Sequence, residues 1–122
     1  MNVLLGIEGS DESVRALEAT LERTLEADDE LTVAVVEKST AERSVAETRA
    51  LATDRLETAG IDATVTTLEG DPGSALVDFA ERESFDMVVI GGGTQSPMGK
   101  IRLGPITEFV LLNAPATVKL VR

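Results

Sequence analysis

The sequence predicts an α/β fold: a doubly wound, mostly parallel sheet. Three observations carry this. Short apolar runs alternate with segments of helical period from one end to the other. The runs are continuously apolar, as strands buried on both faces must be. No linker, repeat or low-complexity stretch interrupts them, so residues 1–122 read as a single domain. Alternation of this kind implies helices on both faces of the sheet and right-handed crossovers.

Asn2–Ile7 reads as a first buried strand. Ser10 then caps a helix over Asp11–Ala27, with Asp11 and Glu12 in the first turn, where the helix dipole favours acids. Val14, Leu17, Leu21 and Leu25 recur at spacings of three and four and form its apolar face. Leu31–Val36 is the second strand. The next helix starts either at the capping-box pattern Ser44-x-x-Glu47 or near Ser39-x-x-Glu42, and ends before Gly60. Ala63–Leu68 alternates less cleanly, as expected nearer a sheet edge. Asp71-Pro72 supplies an N-cap followed by proline at the first helical position; Ala75, Leu76, Phe79 and Ala80 form a buried face to about Glu83. Asp86–Ile90 is a fourth strand. A fourth helix over Pro105–Asn113 turns Ile106, Phe109 and Val110 inward, and Thr117–Val121 is the last strand.

Composition excludes much chemistry. The chain has no Cys, His, Trp or Tyr, so disulfides, thiolate or imidazole metal sites and Cys- or His-based nucleophiles are absent. Any metal would be a hard cation held by carboxylates. The 22 acidic residues outnumber 11 basic ones, and the net charge of −11 is spread along the chain. Such a field repels nucleic acids and anionic lipids, so neither is an expected partner. Few lysines beside abundant Asp, Glu and Thr resemble proteins adapted to high salt, where screening relieves carboxylate repulsion. The N-terminus shows no basic segment followed by a long apolar stretch, so no signal peptide or membrane span is expected and the protein reads as cytoplasmic.

In doubly wound sheets, ligands bind beyond the strand carboxyl ends where the strand order reverses. If the first and fourth strands flank that point, the loops 6–13 and 91–103 line one crevice. The second loop begins Gly91-Gly92-Gly93-Thr94 and ends at Gly104-Pro105 before a helix start. Glycine-rich strand-to-helix loops let backbone N–H groups approach a phosphate. Proline, however, offers neither an N–H nor a hydroxyl. The glycines have a second reading, a tight exit from the sheet, and Pro105 is an ordinary first helical residue. Lys100 and Arg102 form a local positive exception beside the loop.

The segments Val3-Leu4-Leu5-Gly6-Ile7-Glu8-Gly9-Ser10, Gly70-Asp71-Pro72, Asp86–Gly91 and Gly104–Val121 resemble, in order and spacing, the universal stress protein family. The likeness runs nearly end to end, with a shortening after the second strand. It implies a five-stranded parallel sheet in the order 3-2-1-4-5, a Rossmann-like fold of the adenine nucleotide alpha hydrolase type. It also implies a homodimer paired through the last strand, Thr117, Val118, Lys119, Leu120 and Val121. One branch of the family binds ATP through Gly-x-x-Gly, nine residues, then Gly-Ser or Gly-Thr. Gly91 and Gly104 fall on the first and third glycines, whereas Thr94 replaces the second and Pro105 the hydroxyl residue. Glu8 takes the place of an aspartate near the nucleoside, and Val36 matches a position whose backbone meets adenine. Gly92 and Gly93 complete the candidate set.

Each N–H or hydroxyl donated to a phosphate is worth about 1.5–3 kcal/mol. At about 1.4 kcal/mol per tenfold, the losses at Pro105 are expected to weaken ATP binding roughly 10- to 1,000-fold. Two functional readings follow from the resemblance. The first is a dimeric regulatory or stress-response module with a degenerate crevice and weak or no ATP binding. The second is an ATP-binding member with a nucleotide switch or slow ATPase activity. A phosphorylated receiver domain is disfavoured, because Lys119 lies inside the last strand and not after it.

Overall fold

A computed structural model describes residues 1–92, 94–95 and 101–121, with the backbone alone at 94, 95, 101 and 102. In chain order the elements are β1 (Asn2–Ile7), α1 (Asp11–Ala27), β2 (Glu30–Val35), α2 (Val45–Ala59), β3 (Thr64–Thr67), α3 (Pro72–Arg82), β4 (Met87–Gly91), β5 (Thr94–Gln95), β6 (Ile101–Arg102), α4 (Pro105–Asn113) and β7 (Thr117–Val121). Five strands form one parallel sheet in the order β3-β2-β1-β4-β7, the expected 3-2-1-4-5 with β7 as its fifth strand. The order reverses between β1 and β4, whose registers run from Val3↔Met87 to Gly6↔Ile90.

Pleating explains the apolar runs. Val3, Leu5 and Ile7 of β1 join Val33, Val35, Met87 and Val89 in one core, which takes Ala16, Leu17 and Leu21 from α1 and Ala52 and Leu56 from α2. The alternate residues, Leu4, Ala34, Val88 and Ile90, face a second core with Leu76 and Ala80 of α3 and Val110 of α4. Each fully buried Val or Leu contributes about 1.5–3 kcal/mol. A polar residue anywhere from Val3 to Ile7 would therefore be costly on either side.

Several expectations are corrected in detail. Along α1, Leu25 is 61% exposed, while Ala16, Thr20 and Thr24 are buried. The threonine hydroxyls donate to the carbonyls four residues earlier, Thr20 to Ala16 at 2.7 Å and Thr24 to Thr20 at 2.8 Å. That local bonding lets polar residues sit under the sheet. In α4, Thr107 is buried and Phe109 is 38% exposed, lying across Gly73 of α3. Of the two starts open for α2, the structure has Ser44: its hydroxyl accepts from Glu47 N and its N–H donates to Glu47 Oε1, both at 3.1 Å. The antiparallel β5–β6 pair inside the glycine-rich loop has no counterpart in the sequence reading.

Candidate functional site

Beyond the carboxyl ends of β1 and β4, Glu8, Val36 and Gly91 come together with Gly6, Ser13 and Ile106 around one narrow slot. The slot holds only about 10 Å³, roughly one water. Room for a larger ligand lies beside it. A cavity of about 580 Å³ opens between Glu37–Ser39 after β2, Gly70–Gly73 at the start of α3, and Pro105, Ile106 and Phe109 of α4. A second, of about 590 Å³, lies between Gly9, Val36–Ser39 and residues 41–47. Both volumes fall within the range of small-molecule sites.

The loop after β1 is fixed by its neighbours. Glu8 N donates to Ser13 Oγ at 2.9 Å, and the Glu8 carboxylate accepts from Lys38 Nζ at 3.2 Å. Any Cβ on Gly9 would collide with the Arg43 carbonyl. Arg43 seals that approach: its backbone N and Nη1 donate to Gly9 O at 3.2 and 3.3 Å, and its Nη2 meets Asp11 Oδ1 at 3.1 Å. Val36 is buried, and its N–H is spent on Ile7 O at 2.9 Å. Neither the Glu8–Lys38 pair nor the Arg43 clasp is visible in the sequence, because the partners stand 30 and 34 residues apart.

The glycines of the second loop prove unlike one another. Gly91 is the last residue of β4, and a Cβ there would strike the Glu12 carbonyl and lie 3.1 Å from Ala16 Cβ. Its presence is explained by α1 packing against the strand end. At Gly92 a Cβ would sit 2.7 Å from Thr107 Oγ1, the hydroxyl that donates to Gly91 O at 3.2 Å and ties α4 to β4. Gly104 differs. Its φ of −70° suits any residue, and among the described residues, its two chain neighbours aside, no atom lies within 4 Å of where a Cβ would stand. Neither its backbone nor its packing against the described residues calls for glycine there. It is the N-cap of α4 without a side-chain hydrogen bond, and Pro105 follows it. The helix start therefore leaves the Ile106 and Thr107 N–H groups with no intrahelical acceptor. Thr94 pairs with Arg102 in the β5–β6 ribbon. Gly93, Lys100 and the Arg102 side chain lie outside the described residues.

Among the described residues, no group of three or more His, Cys, Asp or Glu is placed to hold a metal ion. Nor is any described helix long and apolar enough to cross a membrane.

A parallel sheet in this order, with a glycine-lined crevice at its switch point, defines a doubly wound, Rossmann-like α/β fold. The sequence model described as "Universal stress protein family" matches residues 1–122, and the chain belongs to that family. A universal stress protein of Methanothermobacter thermautotrophicus is 44% identical over 54 residues, which is 44% of this chain and 36% of that protein. The match thus spans about a third of that relative's length. Among solved structures, a universal stress protein in complex with cAMP is 25% identical with a TM-score of 0.77, covering 100% of this chain and 96% of its own. The universal stress protein of Archaeoglobus fulgidus in complex with dAMP superposes with a TM-score of 0.72 at 21% identity, covering 100% and 98% of the two chains.

Proposed function

We propose that this protein is a small regulatory, stress-response module whose crevice takes an adenine nucleoside monophosphate in preference to ATP. The observation that carries this is the start of α4. Among the described residues Gly104 leaves space over a helix N-terminus, which favours a bound anion, and the Ile106 and Thr107 N–H groups have no intrahelical acceptor and can serve it. Pro105 withholds the further N–H and hydroxyl that a longer phosphate chain would use. Similar structures holding cAMP and dAMP support an adenine ligand with a single phosphate. Glu8, beside Val36 and Gly91 at the strand ends, is the acid available for a ribose hydroxyl. With two charge-assisted contacts missing, ATP gains little over AMP from its extra phosphates.

Equilibrium dialysis in molar KCl tests the reading. AMP or cAMP is expected to bind at least tenfold more tightly than ATP. ATP binding that equals or exceeds both would overturn the preference and restore the ATP-switch reading.

The module is further proposed to act as a homodimer through β7. That strand pairs with β4 on one side, is an edge of the sheet, and exposes Thr117 and Lys119. Leu111 and Leu112, at the end of the preceding α4, are exposed apolar residues, Leu112 to 76%. An unpaired edge beside apolar surface favours a self-complementary seam. Sedimentation velocity on Leu112→Lys combined with Val118→Pro is expected to give a monomer from a dimeric parent. A monomeric parent removes the dimer.

A further inference from the structure

Lys38 is one of only three lysines in a chain of net charge −11. It stands just after β2, in the segment Glu37–Ser39 that both large cavities share. Among the described residues lining the 580 Å³ cavity it is the only cation, and the same walls carry the carboxylates of Glu37 and Asp71. Its ammonium is 3.2 Å from Glu8 Oε1, with the Glu8 side chain 16% exposed and that of Lys38 32%. The pair therefore joins the strand-end slot to the cavity that opens on α4.

A partly buried ion pair whose lysine still reaches water contributes only modest net stability, because water and salt compete for its partners. It is readily exchanged when something better enters. A phosphate in the cavity presents such a partner to Lys38, and a ribose hydroxyl presents one to Glu8. Without the lysine, an entering phosphate would meet only carboxylates among the described charged side chains of that cavity.

We infer that the Glu8–Lys38 pair is an exchangeable latch, opened by a nucleotide, and that Lys38 makes the crevice select phosphorylated over unphosphorylated nucleosides. This rests on the crevice binding an adenine nucleotide. A neutral nucleoside engages Glu8 alone and must displace its counterion with nothing offered in return. A nucleoside monophosphate supplies new partners to both ends of the latch.

Calorimetric titration of AMP and adenosine into the wild type, Lys38→Gln and Lys38→Arg tests this at fixed salt. Loss of one charge-assisted contact corresponds to about tenfold or more. The AMP-to-adenosine preference is accordingly expected to fall at least tenfold in Lys38→Gln and to be kept in Lys38→Arg. A lysine that only supported the fold would weaken both ligands together. If both ligands bind the wild type and Lys38→Gln leaves their ratio unchanged, the latch fails while the nucleotide reading stands. If neither ligand binds the wild type, both fail together.

Discussion

Three of the four long helices close their own N-termini, and the fourth does not. Ser10 Oγ accepts from Ser13 N at 3.3 Å to start α1, Ser44 and Glu47 form a reciprocal box at α2, and Asp71 Oδ2 accepts from Ser74 N at 3.1 Å at α3. At α4 the N-cap is Gly104, with no side chain to offer. The contrast is sharpest between α3 and α4, which open on the same cavity and both place proline in the first turn. One helix end is neutralised by its own carboxylate, and the other receives no side-chain hydrogen bond from its N-cap residue. The bare cap is cheap, since glycine falls only a few tenths of a kcal/mol short of Asp at an N-cap. Such a small sacrifice is what a ligand-facing helix end would show.

Filling the bare cap should break the contrast most severely. Gly104→Asp gives α4 the same cap as α3, so stability is expected to rise by a few tenths of a kcal/mol. AMP affinity is expected to drop about 100-fold or more, because a carboxylate takes the donors and repels the phosphate. Urea unfolding together with calorimetry reads both changes; retained affinity would mean that no anion sits at α4. Gly91→Ala is the counterpart within the same loop. Its Cβ meets the backbone of α1, and such overpacking costs about 1–3 kcal/mol, with ligand loss following only from unfolding. A smaller change runs the other way. Pro105→Ser returns an N–H and a hydroxyl to the first turn of α4, and ATP binding is expected to tighten about tenfold by equilibrium dialysis. No gain would show that ATP approaches elsewhere. Smaller again, Asp71→Ala is expected to lower unfolding stability by about 1 kcal/mol in urea through loss of the α3 cap.

The same comparison shows what a sequence can and cannot carry. The central strands β1, β2 and β4 were legible because strands buried on both faces demand mostly apolar runs, and β1 meets that demand at Val3, Leu4, Leu5 and Ile7. The start of α2 was half legible: both Ser39 and Ser44 offer a cap, and only the second forms one. Thr20 and Thr24 fall outside the apolar pattern of α1 because their polarity is satisfied inside their own helix, which a hydrophobic pattern does not register. Gly91 and Gly104 carry the same letter in opposite surroundings, one pressed against Glu12 and the other meeting no packed atom among the described residues. The Glu8–Lys38 pair was hidden for a similar reason. Its members meet only once β1 and β2 lie side by side, with Ile7 paired to Val35.

The smallest expected effect concerns the α2 start, where the cap itself is charged. The Ser44 backbone N–H, and then its hydroxyl, hold the Glu47 carboxyl below its ordinary value of 4.5, with the nearby Arg43 charge acting in the same direction. A carboxylate whose pKa is depressed on folding adds stability above its unfolded pKa and loses it as pH falls through the folded value. Its contribution is thus complete above about pH 4.5 and disappears in the acid range below. Glu47→Gln keeps an acceptor for the Ser44 N–H but removes the charge, so this increment of pH dependence should vanish. Melting temperatures of wild type and variant are expected to converge as pH is lowered from 6 towards about 3. Glu47 is exposed, so the gap should also shrink in molar salt. Parallel curves across that pH range would show that the box at α2 holds through geometry alone.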